Sequence, residues 1–192
     1  MIKNFLFIFL LLVTSEVYSQ DSTFKIVFPE GWVQFQRNEV LNSVKNKFDL
    51  PEKVKEELLS SSTSTELFGY AAPTKPGTLY RPNIQVLLRR NPTQDDTQFR
   101  LSIEKSLEGF KSQIIWDFKI IDNPIEILID GRKAVYTKVS GYHPTKTGDE
   151  VQVFSRIYAI PVGKYFYQIT MNDSPDYNCE IDFQTVLRTI AL

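Results

Sequence analysis

The 192-residue chain has a single histidine and a single cysteine. One cysteine, Cys179, cannot close an internal disulfide. A structural zinc site takes four Cys/His ligands and a catalytic one takes three protein ligands. His143 and Cys179 lie thirty-six positions apart and supply no such set, so neither a metal nor a cofactor is expected. Serine-nucleophile chemistry would have to draw on His143 alone, and no Gly-x-Ser-x-Gly elbow accompanies it. No glycine-rich run precedes a helix to cradle a phosphate. Cys179 opens the last expected helix, where a helix N-terminus could lower its pKa. Unfamiliar chemistry on His143 or Cys179 therefore stays open as an alternative, and no catalytic residue is assigned.

Charge of one sign is also lacking. Twenty-two Lys and Arg face twenty-three Asp and Glu, a net charge of −1. Such a balance gives no electrostatic reason for nucleic-acid binding. Arg89-Arg90 and Lys53/Lys55 are isolated pairs, expected on solvated faces.

No apolar run approaches the roughly 20 residues that a spanning helix needs. The longest, Phe5 to Val13, has nine. It follows Lys3 and precedes Val17-Tyr18-Ser19. Positive start, short apolar run and small residue at the cut form the pattern of a cleavable signal peptide. The expected leader is residues 1–19, with a cut after Ser19 or, alternatively, after Gln20. A lipid anchor would need Cys after the cut, where Gln20 or Asp21 stands. Residues 20–192 are then expected as one domain without a membrane anchor. Export without disulfides suits the periplasm or exterior of a bacterial cell.

What the chain does have is a core. Aromatic residues make up 13% of it, far from a disordered composition. Phe24, Ile26 and Phe28 alternate with Lys25 and Val27 as a strand would. Pro29 to Gly31 should turn it into a second short strand at Trp32, Val33 and Phe35, a hairpin-like start. Arg37 to Ser62 has helical spacing, interrupted and restarted at Asp49-Leu50-Pro51-Glu52. Strands are expected over Glu66–Ala72 and Asn83–Arg89. Asp95 to Ile115 should be a long helix, capped by Asp95, with a stripe of Phe99, Ile103, Leu107, Phe110 and Ile114. A meander follows: Ile125–Ile129, the turn Asp130-Gly131, Arg132–His143, Glu150–Ile160 and Lys164–Met171. Asn178 to Ile190 should close the chain as a helix.

This order predicts an α+β fold: an antiparallel sheet of about six to eight strands packed by helices on both faces. The residues Phe28-Pro29-Glu30-Gly31-Trp32, Asp130-Gly131-Arg132-Lys133-Ala134 and Gly163-Lys164-Tyr165-Phe166-Tyr167, with a long helix before the meander and a helix after it, resemble the PsbP-like superfamily. The similarity spans nearly the whole chain after the leader. It implies an α/β/α sandwich and places this chain among exported bacterial members of unknown function. That superfamily also holds a photosystem II extrinsic subunit and a Ran-binding nuclear import factor. It supplies no shared active-site residue, so the resemblance favours binding or assembly over catalysis.

The expectation is thus an exported, non-catalytic binding or assembly module, with an envelope or secreted protein as its partner. A second possibility is a carrier of a small apolar or aromatic ligand held between sheet and helix. Trp32, Trp116, Tyr136, Tyr142, Tyr158, Tyr165, Phe166 and Tyr167 are the aromatic residues available to line such a groove, although Trp32 and Phe166 suit the core better.

Overall fold

The computed structural model describes residues 24–35, 64–93, 95–113, 117–144 and 148–192. The leader, the helices expected within Arg37–Ser62 and Trp116 lie outside these residues. The described elements are, in chain order, β1 (Val33–Gln34), β2 (Ser64–Ala71), β3 (Asn83–Arg90), α1 (Asp96–Gln113), β4 (Lys119–Ile129), β5 (Arg132–Pro144), β6 (Glu150–Val162), β7 (Tyr165–Asp173) and α2 (Glu180–Arg188). The seven strands form one sheet in the order β1-β2-β3-β7-β6-β5-β4. Every neighbouring pair is antiparallel. The expected α+β class is the observed one.

Two tight turns build the meander. Asp130 and Gly131 both have positive φ, 49° and 71°, as a type I′ turn requires. Gly163 alone has positive φ, 57°, in the Gly163-Lys164 turn between β6 and β7, the type II′ pattern. Pro161, expected in that loop, lies inside β6 opposite Phe166. Val162 and Tyr165 flank the two-residue turn and form its hydrogen-bonded pair. The nitrogen of Pro161, one step back, therefore points away from β7 and towards β5, whose pairing with β6 ends at Val135 and Ala159, so no bond to β7 is lost.

Alternation along the strands separates two cores. Ala134, Tyr158, Ile160, Tyr167, Ile169 and Met171 face the side on which Phe183 and Val186 of α2 are fully buried. Their immediate neighbours Val135, Ala159 and Phe166 face the other side, against Phe99 and Ile103 of α1. The two helices thus cover opposite faces. The rings of Phe99 and Phe166 meet edge-on at 5.3 Å. Asp95 caps α1, its Oδ1 accepting the Gln98 N–H at 2.8 Å.

The amino-terminal segment departs from expectation. Phe24, Ile26 and Phe28 do pack on the α2-side core, while Val27 is exposed. Their backbone partner, however, is the chain's end. Lys25 and Ala191 exchange both backbone hydrogen bonds, at 2.9 and 3.0 Å, and Val27 N–H donates to Thr189 Oγ1. β1 pairs with β2 instead. Periodicity revealed which side chains turn inward, but not which backbone they join. Among the described residues no helix is long and apolar enough to cross a membrane.

Candidate functional site

His143 pairs through its backbone with Val151 near the end of β5. Cys179 occupies the N-cap position of α2 and is buried in the α2-side core. Its pKa is raised rather than lowered as a helix N-terminus could have done. Burial, joined by the nearby carboxylates of Asp182 and Asp173, pushes the thiol up to about 11. The nearby cations Lys75 and Arg156 pull the other way but do not offset it.

The same corner holds a buried cation. Arg156 on β6 is 4% exposed and Asp173 on β7 is 1% exposed, with Nη1 to Oδ1 at 3.0 Å. Arg156 Nη2 also donates to Glu180 in the first turn of α2, and its guanidinium lies over the Phe183 ring at 5.3 Å. The second Asp173 oxygen accepts the Cys179 N–H at 3.1 Å. Burial works against the Arg156 charge, but Asp173 and Glu180 outweigh it and raise its pKa. Burial likewise opposes ionised Glu180, yet hydrogen bonds from Gln184 and Arg156 and the Arg156 charge hold its carboxyl below the ordinary range. Every charge here is committed to a neighbour. The cluster fastens the start of α2 to two strands.

The opposite sheet face is different. Register places Val135, Ala159, Gln168 and Leu87 in one row across β5, β6, β7 and β3. The next row is Thr137, Ile157, Thr170 and Gln85, and the next Val139, Ser155, Asn172 and Asn83. In each row the β5 end is buried, on the face that α1 covers. From β7 outward each row carries amides or hydroxyls. These polar side chains bond one another, mostly across strands. Ser155 Oγ donates to Asn172 Oδ1 at 2.6 Å, and Asn172 Nδ2 donates to Asn83 Oδ1 at 2.9 Å. Arg89 donates to Gln168 at 2.7 Å, and Gln168 to Thr170 at 3.2 Å. Arg89, expected to be fully solvated, is half-buried, and burial lowers its pKa. Each amide offers two donors and an acceptor, and arginine a rigid fork of donors. Mutual bonding fixes their orientations before anything binds. The alternating Gln168, Thr170 and Asn172 of β7 were the sequence signal for this face. In the sequence it is masked because apolar and aromatic residues alternate with them along the same strand.

Where this face meets the amino end of α1 lies an open cleft of about 530 Å³, lined by Asn91, Thr93, Asp95, Phe99, Pro161 and Lys164 among others. It sets the carboxylates of Asp95 and Asp96 and the amine of Lys164 beside the apolar Phe99 and Pro161. Among the described residues, the aromatic side chains considered for a ligand groove are not gathered into one. Tyr158 and Tyr167 are buried on the α2 face and Phe166 on the α1 face, while Tyr165 is exposed beside the turn.

Comparison with known proteins bears on the fold. No family profile matches the chain, and no curated protein matches it in sequence. Among solved structures, PA94 of Pseudomonas aeruginosa, a protein of unknown function, is similar with a TM-score of 0.50 and 16% identity over 68% of this chain and 84% of that one. LpqN of Mycobacterium tuberculosis, involved in cell envelope biogenesis, reaches a TM-score of 0.48 at 13% identity over 91% of this chain and 88% of its own. The Ran-binding protein Mog1p of Saccharomyces cerevisiae reaches 0.38 at 12% identity over 79% and 77%. What the first of these shares with the chain is its fold.

Proposed function

We propose that this chain is an exported, non-catalytic binding module of PsbP-like type, and that it holds an envelope or secreted protein on the polar face of β3, β7 and β6. The observation that carries this reading is the change of character within one continuous sheet face. Where α1 packs on the sheet, Phe99 and Ile103 meet the apolar Val135, Ala159 and Phe166. Beyond it stand two bonded sets, Arg89–Gln168–Thr170 and Ser155–Asn172–Asn83, with Gln85 beside Thr170 in the same row. Protein interfaces favour arginine, and polar groups at them are satisfied directly or through bridging water. A protonated, buried Cys179 speaks against thiol chemistry.

The test is enrichment from the envelope and secreted fractions with wild type and with the Arg89→Ala/Gln168→Ala double variant. The reading expects a specific protein retained by the wild type and weakened at least about tenfold by the variant, as loss of two interfacial hydrogen-bonding groups implies. The variant should keep its melting temperature to within a few degrees. A partner held equally by both, or none returned reproducibly, would contradict it.

A second reading rests on the cleft, whose volume of about 530 Å³ lies in the range that takes small ligands. Native mass spectrometry of the purified chain should then show an added mass that Lys164→Ala removes; its absence counts against this reading.

A further inference from the structure

Among the described residues β4 is an edge of the sheet, and it carries apolar side chains in the open: Ile121 is 48% exposed, Ile125 51% and Leu128 70%. An edge strand presents unpaired N–H and C=O groups to any extended segment that fits, and natural sheets normally blunt it. Here the blunting covers only half the strand. The register breaks between Ile120 and Asp122 and again between Asp122 and Ile125, around Pro124. From Ile125 to Ile129 pairing with β5 is regular.

The turn geometry states which backbone groups are free. Ile129 and Arg132 flank the two-residue turn and form its hydrogen-bonded pair. Counting back, Ile127 and Ile125 bond β5, whereas Glu126 and Leu128 direct their N–H and C=O groups away from it. The sequence Ile125-Glu126-Ile127-Leu128-Ile129 places isoleucine at both ends and at its centre, so these positions match when it is read in either direction. A two-fold interface requires such self-complementarity.

We propose that the Ile125–Ile129 half of β4 pairs antiparallel with the same segment of a second copy, about a two-fold axis at Ile127. Three registers set outward-facing residues opposite one another. Glu126 against Glu126 of the second copy opposes like charges. Leu128 against Leu128 of the second copy runs each strand past the other's turn. Glu126 against Leu128 of the second copy uses all five residues and forms four backbone hydrogen bonds. It also sets each Leu128 between Lys133 of its own chain and Glu126 of the other, so that unlike charges flank the buried leucine. Ile125 then lies against Ile129 of the second copy, and its exposed surface is covered.

Sedimentation velocity of the full chain tests this. Wild type should pass from monomer to dimer as concentration rises from micromolar to near-millimolar. Leu128→Pro removes an outward N–H and no bond to β5, so it should raise the dimer Kd by about tenfold or more while leaving the circular dichroism unchanged. Ile127→Cys is an independent probe. Facing residues of a non-hydrogen-bonded pair sit about 4.5 Å apart at Cα, within disulfide reach, and buried Cys179 does not compete. Mild oxidation should link this variant into a covalent dimer. Wild type that stays monomeric throughout, with no cross-link formed by the Ile127→Cys variant, overturns the proposal. So does a dimer indifferent to Leu128→Pro, or a monomer that pairs only with an unrelated extended peptide.

Discussion

Arg156 and Asp173 show how a few side chains hold an element in place. Both are almost fully buried, and Asp173 serves the Arg156 guanidinium with one oxygen and the Cys179 N–H with the other. Asp173→Ala leaves a buried cation and a buried N–H without these partners. The expected loss is about 3–5 kcal/mol of unfolding free energy in chemical denaturation, far more than a surface pair would give. Cys179 makes a second prediction at this scale. Its folded pKa of about 11 lies above the ordinary value of 9.0. The native thiol should resist alkylation near neutral pH and react only as fast as the chain unfolds. The raised pKa also sets a sign for stability. The folded state keeps its proton while the unfolded state loses one, so this contribution is intact below pH 9.0 and falls away as pH rises towards about 11. Denaturation titrations of wild type and Cys179→Ala, compared across that window, would show the wild type declining more steeply.

At the scale of elements, α1 is held by its apolar stripe. Phe99 is 2% exposed and contacts Phe166 through its ring edge. Phe99→Ala should cost about 3–5 kcal/mol in the same assay. Much of this level was legible in the sequence. The Asp130-Gly131 and Gly163 turns were readable because positive φ restricts residue choice so strongly. The stripe of α1 was readable because one helix face must cover the sheet. Pairing was harder. Phe24 to Phe28 has strand periodicity, but its partner Ala191 lies at the other end of the chain, and no local pattern encodes so distant a match. Pro161 looked like a loop residue because its suitability for β6 depends on which side of the strand its nitrogen faces. Arg89 looked solvated because the sequence does not show that Gln168 stands beside it. The candidate site was therefore scarcely legible. It consists of ordinary amides whose meaning comes from register across three strands.

For the whole molecule, proposed export is joined to a sheet whose α2-side face is mostly apolar around the buried Arg156–Asp173 pair and whose other face is divided. The export proposal predicts a chemically defined product. Expression of the full chain in a bacterial host with a Sec pathway should yield a mature protein beginning at Gln20 or Asp21, read from the intact mass of the envelope or secreted fraction. Full-length protein retained in the cytoplasm would count against it. If the edge pairing through β4 also holds, the dimer carries two copies of the polar face, and a partner with repeated sites would be held more tightly than one with a single site.

The central claim is that the face of β3, β7 and β6 is the recognition surface. Photo-crosslinking in living cells tests it most directly, with benzoylphenylalanine in place of Gln85 on that face or of Lys105, an exposed residue of α1. The account predicts a discrete protein adduct from position 85, none from position 105, and loss of the adduct when Arg89→Ala is added. An adduct from position 105 alone, or one from position 85 that Arg89→Ala leaves intact, would contradict it.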